Sequence, residues 1–251
     1  MKVALKRFIF FSLLIGLWQL GSSLEWWSHQ ILPSPFKVYE SLAAGIADKT
    51  LYYDLIASFR RLLIGLSIAL VIGTGIGILL AKSKTADDTL GSLVLALQSV
   101  PAIVWLPLAM MWFNFGESSI LFIVVLGGTF VMILNVRVGI KNVSPLYIKA
   151  AQTMGVSGIS LFTRIMLPAS IPYFVTGTRL AWAFAWRALI AGELLSTGPG
   201  LGYTLRYAAD YGQMSLVIGV MIIIGVIGAV VDQFIFQRIE KNVAERWGLE
   251  A

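Results

Sequence analysis

Long apolar runs, each about as long as a helix that crosses a bilayer, constrain this chain more than any other feature. A bilayer core of about 30 Å needs about 20 predominantly apolar residues in a helix. Such runs occur at residues 8–24, 62–81, 91–113, 119–138, 171–192 and 215–236. Because 58% of the residues are hydrophobic and only 13% are charged, a soluble fold of this size could not bury them all. The sequence therefore predicts an all-α membrane protein, a bundle of about six transmembrane helices.

The first run is also similar to a secretory signal peptide. Lys2, Lys6 and Arg7 precede it, and Gly21 and Ser23 would suit cleavage. Since five more runs follow, we expect it to stay as an anchor helix.

Basic residues are concentrated in alternate connections between the runs. Twelve lie on the side of the N-terminus and five, including the pair Arg60-Arg61, on the other side. Connections rich in Lys and Arg stay in the cytoplasm, so the pattern predicts that both termini are cytoplasmic. This topology accounts for the net charge of +6, and we expect no binding to nucleic acid.

Several kinds of chemistry are excluded by composition. The absence of cysteine excludes disulfides, thiolate metal sites and cysteine nucleophiles. The single histidine, His29, falls in a predicted loop, which argues against a zinc or haem site. No Gly-x-x-x-x-Gly-Lys-Ser/Thr loop is present to cradle a phosphate. We therefore expect no metal, no cofactor and no enzyme activity in this chain.

The connections predict one domain over residues 1–251, because no Gly/Ser linker or charge run divides the chain. The segment Leu32-Pro33-Ser34-Pro35 predicts a turn, since proline fixes φ and restrains the residue before it. Residues 36–57 are too polar to span a bilayer and predict one or two short surface helices.

Small residues and prolines indicate how the spans pack. Residues four apart share a helix face, and small residues there allow close helix contact in lipid. The second, fifth and sixth spans carry such residues: Gly65, Ala69, Gly73, Gly77, Ala81; Gly177, Ala181, Ala185; Gly225, Ala229. Pro101 and Pro107 are expected to bend the third span, because each removes a helix hydrogen bond.

A polar segment of about residues 144–170 lies between the fourth and fifth spans. Ser144 and Pro145 predict a helix start, and Gly155 predicts a stop after a short helix from Tyr147 to Met154. A second short helix is expected over residues 157–166, ending before Pro168. From these residues alone, a membrane-surface hairpin and a docking site for a partner both stay open, with the hairpin favoured.

This segment resembles the EAA loop of bacterial ABC-importer permeases. The resemblance rests on Ala150-Ala151, on Gly155 after them, and on Leu167-Pro168 at the end. Nearly the whole chain is similar to the nitrate, sulfonate and taurine branch of that family. It shares these features too: Leu32-Pro33-Ser34-Pro35, Ser58-Phe-Arg60, Pro101, Pro107-Leu108, Gly116-Glu117-Ser118, Glu193 and Gly200-Leu201-Gly202. One departure is Lys149, which stands where the family has Glu and puts in doubt any salt bridge that the Glu makes with the ATPase.

The resemblance implies a permease subunit that works by alternating access in the bacterial inner membrane. It implies a second permease copy as a homodimer, two ATPase subunits that hold ATP and Mg, and an extracytoplasmic binding protein. The residues expected to couple to the ATPase are Tyr147, Lys149, Ala150, Ala151, Met154, Gly155, Leu167 and Pro168. The solute implied is a small anion such as a sulfonate, taurine or nitrate, although related branches carry vitamins or precursors.

Ionisable residues within a span are costly and mark candidate functional positions. Arg179 lies near the inner end of the fifth span and is expected to reach the interface. Arg187 is a candidate path residue, since guanidinium binds anionic oxygens through paired hydrogen bonds. The alternative, which is favoured, is that Arg187 pairs with another helix or with lipid headgroups. Glu193, Pro101 and Pro107 complete the predicted path residues.

Two rival functions remain at this point. An ion-coupled secondary transporter usually carries repeats and carboxylates at mid-membrane, and no span here has an acidic residue at its centre. A membrane-embedded enzyme would need a nucleophile, metal or acid–base set within the spans.

Overall fold

The computed structural model describes residues 2–24, 26–28 and 31–248, and these form helices and short connections without a β-strand. In chain order the helices are α1 (Lys2–Ser23), α2 (Pro35–Ala47), α3 (Thr50–Lys82), α4 (Lys84–Gln98), α5 (Ala102–Phe113), α6 (Glu117–Lys141), α7 (Pro145–Thr153), α8 (Gly158–Ala169), α9 (Ile171–Glu193), α10 (Leu201–Asp210) and α11 (Met214–Arg246). The predicted all-α fold class is confirmed.

Within the described residues, three helices are long and apolar enough to cross a membrane: α3, α6 and α11. Two bent pairs, α4 with α5 and α8 with α9, would each add one span, which gives up to five. Helix α1 is not among these candidates. Its 22 residues make a helix of about 33 Å at about 1.5 Å per residue, which matches the bilayer core in length. That α1 spans the membrane stays a prediction.

Helix α3 begins well before the predicted second span. Residues 36–57, which the sequence predicts to form surface helices, divide between α2 and the first turns of α3. Because α3 begins at Thr50, the Arg60-Arg61 pair lies inside a helix. The start of α3 is capped, because the backbone N–H of Thr50 donates to Asp48 Oδ1 (2.9 Å). This hydrogen bond holds the pKa of the Asp48 carboxyl below its ordinary value.

The predicted third span is a sharply broken pair. Helices α4 and α5 meet at an angle of 94°, and Pro101 lies in the break between them. The expectation that Pro101 bends this span is confirmed. Pro107 lies in the first turn of the α-helical part of α5, where a missing backbone N–H removes no helix hydrogen bond.

The helices group into two compact units, which are described separately. The first unit comprises residues 1–58 and 193–226, and the second comprises residues 59–192 and 227–251. The single-domain expectation stays a prediction.

Helix α6 forms the centre of the second unit and is the most buried of the three long helices. Its neighbour α3 approaches closely along the small-residue face. A Cβ at Gly65 would lie 2.5 Å from Val124, and one at Gly73 would lie 2.6 Å from Met132. The paired residue numbers rise together, so α3 and α6 run in the same direction. The predicted role of the α3 glycines in close packing is confirmed.

Helix α9 packs on α6 in the opposite direction. A Cβ at Gly139 would lie 2.4 Å from Tyr173, and one at Gly192 would lie 2.5 Å from Ile123, so residue numbers fall on one helix as they rise on the other. The expected small-residue contact of the fifth span is also found, since Gly177 lies against Asn135. In the sixth span Gly225 has open space around it, so the expected contact there is absent.

The first unit is organised around α2, α10 and the start of α11. Ser34 caps α2 by accepting a hydrogen bond from the backbone N–H of Lys37, and Pro35 occupies the first turn. A Cβ at Gly219 would lie 2.7 Å from Leu42, so α11 approaches α2 closely at this position. The predicted turn before α2 is held by Trp18, whose indole N–H donates to the carbonyl of Pro33 (3.0 Å).

Candidate functional site

The segment between α6 and α9 starts with a capped short helix, as predicted. The backbone N–H of Leu146 donates to Ser144 Oγ (3.3 Å), and Pro145 occupies the first turn of α7. Proline suits that position because its missing N–H would have no partner within the helix.

The same helix ends in a glycine motif. Gly155 adopts φ +81°, and its backbone N–H donates to the carbonyl of Gln152 (3.0 Å). The next N–H, of Val156, donates to the carbonyl of Ala151 (3.0 Å). This pair of hydrogen bonds is the Schellman motif, which needs a left-handed residue and therefore favours glycine. The predicted stop at Gly155 is confirmed.

Helix α7 has one face packed inward and one exposed. Ala151 is 1% exposed. Its neighbour Ala150 is exposed, and so is Lys149, which stands where the resembling family has Glu. Tyr147 is 59% exposed and Met154 is 74% exposed. The helix therefore presents large apolar side chains beside a small residue, which suits close approach by another surface.

Helix α8 extends further than predicted. It contains a π turn over Phe162–Met166 and continues through Leu167 and Pro168 to Ala169, so the predicted end before Pro168 is wrong. The wider π turn lies where the proline ring would otherwise clash with a helix carbonyl. Helices α8 and α9 then meet at 58°.

Contacts within the second unit hold this segment to the neighbouring helices. The ammonium of Lys82 lies 3.7 Å from the ring centroid of Phe162. The indole N–H of Trp247 donates to the carbonyl of Pro168 (3.1 Å). The α7–α8 segment is thus linked to the end of α3 and to residues after α11.

Arg179 forms an ion-pair cluster that the sequence reasoning did not find. Its guanidinium donates to both carboxylate oxygens of Asp232 (2.7 and 2.8 Å) and to Glu240. The two acidic residues lie on α11, so Arg179 joins α9 to that helix. The sequence contained one signal for this pairing, because Arg179 and Asp232 both lie near the predicted inner ends of the fifth and sixth spans.

Glu193 belongs to a buried polar cluster in the first unit. It is 0% exposed, and the Ser58 hydroxyl lies 2.9 and 2.8 Å from its two oxygens. The backbone N–H of Gly202 donates to the same carboxylate (3.1 Å), and that of Leu201 donates to Ser58 Oγ (3.0 Å). The features at Ser58, Glu193 and Gly200-Leu201-Gly202 that carried the family resemblance therefore meet in one place.

Asp54 and Thr204 extend this cluster and were missed by sequence reasoning. Asp54 is 3% exposed, and its carboxylate accepts from the backbone N–H of Gly200 (2.9 Å) and from the Thr204 hydroxyl. Together the two carboxylates bind the start of α10 to the first turns of α3. The sequence carries no local signal for this pairing, because Asp54 and Thr204 are 150 positions apart.

The other predicted path residues lie in the second unit. Arg187 is exposed, and its guanidinium carbon lies 5.7 Å from the ring centroid of Phe184. Pro101 and Pro107 are exposed as well. That Arg187, Glu193 and the two prolines line a path stays a prediction.

The sequence predicts that this chain has no metal site. His29 lies outside the described residues. Across residues 2–24, 26–28 and 31–248, no group of three or more His, Cys, Asp or Glu residues is placed to hold a metal ion.

Comparisons with known proteins identify the family. Residues 73–244 match the model of the family described as binding-protein-dependent transport system inner membrane component. The chain is 33% identical to a putative aliphatic sulfonates transport permease protein, SsuC, of Escherichia coli, over 87% of this chain and 83% of that protein. It is 30% identical to the nitrate import permease protein NrtB of a Synechocystis species, over 89% of this chain and 84% of that protein.

A further relative is a putative ABC transporter permease protein of Methanocaldococcus jannaschii, 36% identical over 71% of this chain and 67% of that protein. Among solved structures, an inward-facing conformation of the MetNI methionine ABC transporter matches with a TM-score of 0.68. The match covers 77% of this chain and 96% of that one, at 18% identity. At this identity the match shows a shared fold.

The family match covers most of the chain, and a relative that is 33% identical over 87% of the chain supports it. The chain therefore belongs to the family of binding-protein-dependent transport system inner membrane components.

Proposed function

We propose that this permease forms the path for a small anionic solute and moves it by alternating access, driven by a separate ATPase that docks on the α7–α8 segment. The solute would be of the sulfonate, taurine or nitrate type. The ATPase would hold ATP and Mg, a binding protein would deliver the solute, and two copies of this chain would enclose the path. In this arrangement both termini are cytoplasmic.

The observation that carries the proposal is the outward face of α7. A nine-residue helix with a cap at each end keeps Leu146 (70% exposed), Tyr147 and Met154 exposed. Leaving such apolar side chains in water is unfavourable, so exposed patches mark contact sites. The small side chain of Ala150 leaves room for a partner to approach the helix backbone.

Anion selectivity is supported by the names of relatives, which are permeases for sulfonates, nitrate, taurine and bicarbonate. Arg187 would supply the recognising charge, since its side chain is exposed at membrane depth on α9. A guanidinium offers paired donors to sulfonate or nitrate oxygens.

Substitution of Ala150 by Trp tests the docking surface. Since Ala150 is exposed, the larger ring should leave the permease folded but prevent close approach of the ATPase. We expect the A150W variant to lose both co-purification of the ATPase and ATP-dependent uptake of labelled taurine, ethanesulfonate and nitrate in proteoliposomes with binding protein.

The matched control is Thr85→Trp, which places the same ring at an exposed position of α4 on the same predicted side. This variant should bind the ATPase and transport normally. Equal effects of the two substitutions, or uptake driven by an ion gradient without ATPase, would contradict the proposal and favour a secondary transporter.

A further inference from the structure

A cavity of about 800 Å³ lies within the first unit. Its wall is formed by α2, the start of α3, the residues before α10, and α10 itself. This volume lies in the range of sites for small organic molecules, which is about 300–1,000 Å³. None of the functional residues predicted from the sequence lines this cavity.

The cavity is lined by acidic residues and, among the described residues that form its wall, by no Lys, Arg or His. Asp48 lines it beside Asp54, whose carboxylate is already held by Gly200 and Thr204. Asp48 is exposed, and the hydrogen bond from Thr50 holds the pKa of its carboxyl below the ordinary value, so the group is a carboxylate. A carboxylate repels an anion and attracts a cation. The cavity is therefore unsuited to the anionic solutes for which the relatives are named.

Tyrosine rings supply the second recognition element. Tyr53, Tyr203 and Tyr207 line the cavity, and the last two lie one turn apart on α10 with ring centroids 6.2 Å apart. The faces of such rings attract cations, most strongly those whose charge is not strongly hydrated. The guanidinium carbon of Arg206, which pairs with Asp210, lies 5.6 Å from the Tyr203 centroid. This contact shows that the face of such a ring attracts a cation in this protein, and it leaves Tyr53 and Tyr207 for a ligand.

We infer that this cavity is a binding site for a small organic cation carrying a quaternary or tertiary ammonium group. Asp48 offers the counter-charge and the tyrosines offer ring faces. The wall includes both α2 and α10, so a bound cation would contact both helices and stabilise their arrangement. The inference goes beyond the proposed import function and does not depend on the solute transported.

The test is direct binding to the purified full-length permease in lipid nanodiscs. The probes are labelled choline and benzyltrimethylammonium, with 3,3-dimethylbutanol as the neutral isostere of choline and taurine as a competitor with a sulfonate. We expect saturable binding of both cations, displacement of choline by benzyltrimethylammonium, and no displacement by the alcohol or taurine at equal concentration.

Variants separate the site from general effects on folding. Asp48→Asn and Tyr207→Leu should each weaken choline binding by about tenfold, the scale of one lost charge or ring contact. Tyr207→Phe keeps the ring and should bind as the unmodified chain does. Glu40→Gln, at an exposed position of α2 outside the cavity wall, is the matched control and should have no effect.

Three results would overturn the inference. These are the absence of saturable binding of either cation at millimolar concentrations, equal binding of the neutral isostere, and equal effects of Asp48→Asn and Glu40→Gln. Because the readout is binding to the permease alone, failure of ATP-driven uptake would leave this result unaffected.

Discussion

At the scale of single residues, Glu193 shows how this membrane protein keeps a carboxylate away from solvent. Burying a charge is costly unless hydrogen bonds compensate for the lost water. Here the Ser58 hydroxyl and the Gly202 backbone N–H provide these hydrogen bonds. The carboxylate thereby orders the connection that leads into α10, so we assign it a structural role in addition to its predicted place near the path.

Replacing Glu193 by Ala should destabilise the chain strongly. Ser58 and Gly202 would each lose an acceptor in a buried site, at about 1–3 kcal/mol for each unsatisfied group. We expect the free energy of unfolding, measured by SDS titration with tryptophan fluorescence, to fall by at least about 2 kcal/mol. Glu193→Gln keeps a carbonyl acceptor and should cost less.

The matched control is Glu117→Ala. Glu117 accepts from the Arg60 guanidinium (2.7 Å to Oε1), but its side chain is 41% exposed. Exposed ion pairs contribute at most about 1 kcal/mol, so this variant should unfold almost as the original chain does. If the two alanine variants lose the same free energy of unfolding, the burial of Glu193 does not make its hydrogen bonds more stabilising than an exposed ion pair.

At the scale of elements, the contact between α3 and α6 depends on which face of α3 each glycine occupies. Gly73 lies against Met132, and a Cβ there would also come within 3.0 Å of the carbonyl oxygen of Thr129. Gly75, two residues on, has nothing within 4 Å of its Cβ position. The close face and the open face of one helix therefore provide a direct comparison.

We expect Gly73→Ala to destabilise the second unit by about 1–3 kcal/mol, because overpacking forces side chains or backbone to shift. Gly75→Ala should be neutral or slightly stabilising, since Ala has the higher helix propensity. The same SDS titration measures both. Similar effects of the two substitutions would contradict the packing of α3 on α6.

At the scale of the whole molecule, the orientation in the membrane is a prediction from the distribution of basic residues, and it can be measured directly. The chain contains no cysteine, so a single introduced cysteine is the only thiol that a reagent can label. Met154 on the α7–α8 segment and Tyr211 after α10 are both exposed, at 74% and 66%.

We expect Tyr211→Cys to react with a membrane-impermeant maleimide in intact cells. Met154→Cys should react only in inverted membrane vesicles, because the topology predicted from the basic residues has this segment in the cytoplasm. Labelling is read out as a mass shift on a gel after purification. The reverse pattern would place the α7–α8 segment outside and exclude docking of a cytoplasmic ATPase.

Local features of this protein were determined by the sequence alone. The cap at Ser144, the stop at Gly155 and the break at Pro101 each depend on backbone properties of one residue and its near neighbours. The apolar runs follow from composition, because a bilayer imposes the length of each span. Even the close face of α3 could be identified, since a four-residue spacing places small residues on one side of a helix.

The partners of the buried charges were decided only by the tertiary structure. Ser58 and Glu193 are 135 positions apart, and Arg179 and Asp232 are 53 apart. No local pattern specifies such pairs, because they form only after packing brings distant turns within about 3 Å. The extension of α3 back to Thr50 and the continuation of α8 through Pro168 have the same origin. Helix ends respond to caps and tertiary contacts that local propensity does not contain.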